Sequence, residues 1–251
     1  MVAQTPARKW PTHLDLPDTD GLPVENDYQP EQAQLLTSAI LPIFEQLHPN
    51  KDFFIGQDVG IYWRTTAQPL EGCKVPDWCY VPGCRPTPPG EYRRSYVMWD
   101  EGASPLIVIE FVSGDGSDER DDTPGTGKFW VYRRGINSGY YAIQDPQRKT
   151  LEVYRREGVD YRRMSANSAG LFEIAEMGVA LGQWRGHYGT HDVTWLRFFG
   201  LDGTVLPNAE ERAEQEMKRA EQEMKRAEQA TAELAELHAR LRAKGIDPTT
   251  I

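Results

Sequence analysis

The sequence predicts an α/β (α+β) fold: a mixed sheet flanked by helices, with a long helix at the C-terminal end. Three observations predict it. Short β-branched and aromatic runs, bounded by Gly and Pro, alternate with stretches of helical spacing. The most apolar of these runs, 106–112, has the length and composition of a buried strand. The block AEQEMKR at 213–219 recurs unchanged at 220–226, a seven-residue repeat of strong helix formers.

Residues 1–29 are rich in Pro and Asp, as in the run Leu16-Pro17-Asp18, and predict an irregular arm. Leu35, Leu36, Ile40, Ile43, Phe44 and Leu47 then recur at helical spacing, predicting an amphipathic helix over 30–48. Pro30 suits its first turn, and Pro42 interrupts it. Strands are predicted at 53–55, 59–63 and 75–81, the last closed by Pro82 and Gly83. Residues 84–100, with Pro86, Pro88, Pro89 and Gly90, read as a long loop. After the strand 106–112 comes a Gly- and Asp-rich loop, 113–127, and a short helix over 128–134. Strands at 139–143 and 151–154 follow, joined by the turn Asp145-Pro146-Gln147, with edge strands at 161–164 and 179–184. The final helix is predicted over 208–244, with Pro207 and Asn208 suiting its start and Gly245 and Pro248 its stop.

A chain of 251 residues can hold one α/β domain and an appendage. No apolar run approaches the roughly 20 residues of a membrane span, so no membrane association and a cytoplasmic location are expected. The net charge of −10 argues against constitutively tight nucleic-acid binding, which phosphate neutralisation drives, but does not exclude a nuclease. The pairs Arg93-Arg94, Arg133-Arg134, Arg155-Arg156 and Arg162-Arg163 read as solvated faces. The three cysteines, Cys73, Cys79 and Cys84, are odd in number and form no CxxC pair, so free thiols are expected. Trp63, Trp78, Trp99 and Trp184 read as core or sheet-face residues. His187 and His191 are four apart, but the glycines around them oppose the helix that would pair them on a metal.

Two acids stand out. Asp77 and Glu110 each lie on or beside an apolar run, where a carboxylate is costly unless it is paired or binds a cation. With Lys128 on the following helix they could form a magnesium site for phosphodiester hydrolysis. By residue type alone the alternative stays open: a Pro-Asp dipeptide is commonly a turn and a strand-end Glu a surface residue.

The segments VPDWCYVPG, RRSYVMWDEGASPLIVIEFVS and GKFWVYRRGINSGYYAIQDP, followed by LEVYRREGVDYRRM and VALGQWRGHYG, resemble the Uma-two family of endonucleases, within the PD-(D/E)xK restriction-nuclease superfamily. The resemblance spans about residues 15–247. It implies a restriction-endonuclease-like domain over 30–206, between the arm 1–29 and the heptad-repeat helix 207–251 that composition and the repeat predict. It implies that Asp77 and Glu110 are the catalytic acids and that they bind Mg2+, with Mn2+ as a substitute, alongside the carbonyl of Phe111. The superfamily's Lys two residues after the second acid is absent, Val112 standing there; the Lys-x-x-x-Tyr pattern places that role on Lys128, with Tyr132 in support. Glu31 is a further supporting acid or a surface residue. DNA is the implied substrate.

One stretch departs from the family. Its basic, Ser/Thr/Arg-rich segment is replaced here by 113–126, which is acidic and longer and is expected over the site. Asp115 and Asp118 within it lack the spacing of an EF-hand loop and read as solvated. The alternative function is accordingly a weak or inactive nuclease fold that acts as an interaction module through its C-terminal helix. The seam of that helix, Ala213, Met217, Ala220, Met224, Ala227, Leu234 and Leu241, fits either a solvated single helix or a weak coiled-coil homo-oligomer over 208–244.

Overall fold

The computed structural model describes residues 10–17 and 26–244. The chain divides into two compact units, Met1–Leu206 and Pro207–Ile251. In the first, helix α1 (Tyr28–Leu47) buries Leu35, Leu36, Ile40 and Phe44. It begins two residues before the predicted start because the Asn26 side chain accepts from the backbone N–H groups of Tyr28 and Gln29. It runs through Pro42.

The strands are β1 (Phe53–Gln57), β2 (Ile61–Tyr62), β3 (Cys73–Lys74), β4 (Trp78–Pro82), β5 (Tyr96–Val97), β6 (Ile107–Phe111), β7 (Tyr140–Asp145), β8 (Thr150–Glu157), β9 (Asp160–Arg163), β10 (Phe172–Ile174), β11 (Val179–Tyr188) and β12 (His191–Gly200). Among the described residues they form three sheets. The main one has the order β1-β4-β6-β7-β8-β9; the others are β3-β2-β5 and β10-β11-β12. Within the main sheet β6 and β7 are parallel and the remaining pairs antiparallel. Parallel neighbours need a crossover. Here it carries the loop after β6 and helix α3 (Lys128–Trp130), which continues as a π turn over Val131–Gly135.

Strand alternation divides the core. Ile107, Ile109 and Phe111 of β6, with Trp78, Tyr80, Tyr140 and Ala142, meet α1 and the β10-β11-β12 sheet. Val108 and Val112, with Cys79, Val81, Tyr141 and Ile143, meet Val131, Tyr132 and Ile136 on the other face. Gly135 is required there, since a Cβ would come 2.7 Å from the Trp63 ring. The cysteines are free.

Several expectations change. Residues 75–77 lie outside β4, because Pro76 offers no N–H to a ladder. The stretch read as a loop over 84–100 contains β5 and a one-turn helix, α2 (Met98–Glu101), closed by Gly102 at φ 76°. Arg93, expected on a solvated face, is buried against Glu101 at 2.7 Å. The strand expected at an edge over 179–184 is the centre of its sheet, because β10 and β12, neither predicted, flank it. The arm expected to be irregular is anchored at two points among its described residues: Leu16 is buried beside Tyr62 and Val97, and Trp99 donates to the Pro11 carbonyl. The arm residues Asp18, Asp20 and Gly21 and the predicted helix stop at Gly245 and Pro248 lie outside the described residues.

The second unit is helix α4 (Ala209–Ala243). Its start is a capping box: Asn208 accepts from the Glu211 N–H, and Glu211 accepts from the Asn208 N–H. The pairs Glu214–Lys218 and Glu221–Lys225 close at 2.5 and 2.7 Å. None of its residues is buried. No described helix is long and apolar enough to cross a membrane.

Phe44 is fully buried and stacks on Tyr80 with ring centres 3.8 Å apart. Phe44→Ala is expected to destabilise the first unit by about 3–5 kcal/mol, read as a lower midpoint of denaturant unfolding.

Candidate active site

Asp77 directly precedes β4 and Glu110 lies in β6. These strands pair antiparallel with Trp78 opposite Ile109, so the next position sets Asp77 opposite Glu110. Opposed residues share a face, with Cβ atoms about 4.5–5.5 Å apart. That face is the one covered by the helix of Lys128. The contact is fixed by Asp77 Oδ2, which accepts the Phe111 N–H at 2.5 Å.

Glu110 is 1% exposed. Its Oε2 accepts from Lys128 Nζ at 2.9 Å and its Oε1 from the Tyr132 hydroxyl at 2.5 Å. Both donors come from the crossover, four residues apart, so a single turn presents them together. Burial works against the charge on Lys128, but Glu110, Asp77 and Glu119 outweigh it and raise its pKa; it is an ammonium. Burial and then the Glu110 charge raise the Tyr132 hydroxyl well above its ordinary range, so it remains a donor. Burial, followed by the charge of Glu110, pushes Asp77 up to about 8, with the Phe111 N–H and Lys128 pulling the other way. The pair is short of positive charge on the Asp77 side.

Two residues of this cluster were not predicted. Lys74, in β3, has its pKa lowered by burial and by the charge of Lys128, while Glu110 and Asp121 act against that. Glu119, in the acidic loop, is 1% exposed with Oε1 3.8 Å from Lys128 Nζ. Nothing in their spacing marks either. Lys74 arrives because its short strand pairs with β2, and Glu119 because its loop folds inward.

Of the residues that the sequence singled out, Asp77, Glu110, Lys128, Tyr132 and the backbone of Phe111 come together. Glu31 instead lies against the β11–β12 turn: Thr190 donates to it at 3.3 Å, and a Cβ on Gly189 would meet its carboxylate. His187 and His191 sit on opposite strands of that hairpin, and His191 faces Asp27 at 3.4 Å. Asp115 accepts the N–H and hydroxyl of Ser117 within its own turn.

The donor set bears on a cation. Among the described residues no group of three or more His, Cys, Asp or Glu side chains could hold a metal ion. Asp77 and Glu110 supply two carboxylates. In an extended strand the N–H and C=O of one residue leave the same edge. The Phe111 carbonyl therefore faces the β4 side, where Asp77 holds its N–H; Gln29 Nε2 stands 3.5 Å from that oxygen, a weak contact. All these donors are hard oxygens, and two carboxylates completed by water fit Mg2+ better than a site built wholly of protein ligands.

A family model for Uma2, described as "putative restriction endonuclease", matches residues 23–187. The chain belongs to the Uma2 family. That membership supports a nuclease-type function. A solved structure described as a "putative nuclease belonging to DUF820", from Anabaena variabilis, is 12% identical in sequence; the match covers 59% of this chain and 73% of that one at a TM-score of 0.38. No curated protein matches the chain.

The raised Asp77 carboxyl has a consequence for this Uma2 protein. The folded state keeps the Asp77 proton up to about pH 8, whereas the unfolded chain releases it near 3.8. Between those values the unfolded state binds fewer protons, so metal-free stability falls as pH rises. Asp77→Asn removes the charge and keeps an oxygen for the Phe111 N–H. It is expected to raise the metal-free melting temperature at pH 8, by about 2–4 °C per kcal/mol relieved, and to have little effect near pH 4; calorimetry at both pH values checks this.

Proposed function

We propose that this Uma2 protein is a divalent-metal-dependent endonuclease that hydrolyses DNA phosphodiester bonds. The observation that carries the reading is the meeting of Asp77, one residue before β4, with Glu110 on the paired strand β6, and Lys128 held against Glu110 at 2.9 Å. Asp77, Glu110 and the Phe111 carbonyl would hold Mg2+, or Mn2+ in its place. The cation would supply charge neutralisation at the phosphate and a more acidic water.

The remaining work falls to the chain. Lys128 is an ammonium, with no lone pair to accept a proton, so its role is to orient the attacking water and to neutralise charge growing on the phosphate. Tyr132 donates to Glu110 from a fully buried position and fixes the carboxylate plane. The Phe111 N–H holds Asp77 in register with it.

With Mg2+ or Mn2+ and several DNA forms, cleavage is expected from wild type and a loss of at least about 100-fold from Asp77→Ala. Lys128→Ala is expected to slow single-turnover cleavage by about 10²-fold or more. Lys128→Ala cleaving as fast as wild type would remove Lys128 from the reaction. A folded wild type with no cleavage on any DNA form would favour the interaction-module reading.

We further propose that α4 self-associates weakly. Met217, Met224, Leu234 and Leu237 are exposed on it, and in its seam Ala213, Ala220 and Ala227 alternate with Met217 and Met224 before Leu234 and Leu241. Sedimentation velocity is expected to show a concentration-dependent shift that Met217→Glu and Met224→Glu abolish together; a concentration-independent monomer overturns the proposal.

A further inference from the structure

The loop between β6 and α3 carries five acids, Asp115, Asp118, Glu119, Asp121 and Asp122, and only Glu119 is buried. Three of the others are answered locally: Asp115 by Ser117, Asp121 by Thr123 and Asp122 by Arg133. Glu119 is driven inward by a built framework. Its carbonyl accepts from the buried Tyr141 hydroxyl at 2.9 Å. The next residue, Arg120, is tied to Glu152 and to the Gly116 carbonyl. On the far side Phe129 donates to the Asp121 carbonyl at 3.0 Å, joining the loop to the helix of Lys128.

The carboxylate so placed is incompletely satisfied. Its Oε1 lies 3.8 Å from Lys128 Nζ, an ion-pair distance beyond a hydrogen bond, and its Oε2 is buried with no hydrogen-bond partner. A buried carboxylate oxygen without a donor is costly, so its place needs a reason. Lys128 Nζ has three donors, and Glu110 Oε2 takes one at 2.9 Å. The ammonium thus stands between a close acid and a distant one. A divalent cation at Asp77 and Glu110 would repel it from Glu110 and compete for the same carboxylate.

We infer that Glu119 is a positioning residue for this site, the second anchor of Lys128, which takes up the ammonium when a divalent cation engages Glu110. The inference rests on the metal-dependent reading above. Without Glu119 the ammonium has only Glu110 to pair with and opposes the cation more strongly. With it, Lys128 is retained beside the cation, charged and in place.

The test is a double-mutant cycle on the full chain, reading Mn2+ affinity by electron paramagnetic resonance of the free ion. Glu119→Gln is expected to weaken Mn2+ binding roughly 10–100-fold and, in cleavage, to lower kcat more than it changes KM for DNA. In a Lys128→Met background the same substitution is expected to leave Mn2+ affinity unchanged within about two-fold. Should Lys128→Met fail to fold, Lys128→Gln, which keeps a donor for Glu110 without the charge, takes its place in the cycle. Unchanged affinity in Glu119→Gln overturns the inference. So does an equal loss in both backgrounds, which would make Glu119 a source of negative field alone. A wild type that binds Mn2+ yet behaves in either of these ways loses only the second anchor; a folded wild type that binds no Mn2+ or Mg2+ overturns the metal-dependent reading and this inference together.

Discussion

A single buried carboxylate organises this fold. Glu110 lies in a strand whose other residues are apolar and fully covered, and it has no solvent to answer its charge. Ion burial of that kind is tolerated when partners arrive with good geometry. They arrive from one place, the crossover between β6 and β7. Because those two strands run parallel, the chain must leave the sheet and return across its face, and on that return it delivers Lys128 and Tyr132 together. Parallel pairing in the centre of an otherwise antiparallel sheet is therefore what gives Glu110 its counter-charge.

Asp77 has no equivalent provision. It faces Glu110 from the residue just before the neighbouring strand, and its principal support is one backbone N–H. The two acids are unequal: one is held by a cationic side chain and a phenol, the other is raised by burial and by its neighbour's charge. The acidity of the loop after β6 is mostly settled within the loop or against Arg133, though Glu119 adds to the charge around Lys128 and Asp121 acts on Lys74. The net charge of the chain is thus a poor guide to the field at this cluster.

The sequence makes α1, the buried strand β6 and the tail helix legible because each follows one rule closely: helical spacing of large apolar residues, an unbroken apolar run, and a repeat of helix formers. It conceals β12, whose pattern mixes His191, Asp192, Thr194 and Arg197 with apolar residues; Arg197 is buried, donating to the Leu206 carbonyl. The run Tyr96–Glu101 hides among prolines and charges because its order comes from long-range pairing with β2. At the site, Asp77 and Glu110 stand out beside apolar runs, while Lys128 and Tyr132 are marked only by the resemblance to the family, through its Lys-x-x-x-Tyr pattern. Lys74 and Glu119 reach the same point from a two-residue strand and an irregular loop, where no period exists to be read. Glu31 shows the converse: it stands near the start of α1 as expected, but its carboxylate is directed to the turn at Thr190.

The tail helix has a property of its own. Its two blocks at 213–219 and 220–226 are identical, so a slide of seven residues, about 10.5 Å along the axis, superposes one block on the other. A surface built this way encodes no unique alignment within that stretch. The differing residues beyond it, Thr231, Leu234, His238 and Leu241, hold the positional information. The first half of α4 is thus a ruler with repeated marks, and its length can change by a whole block without altering the pattern a neighbour would meet.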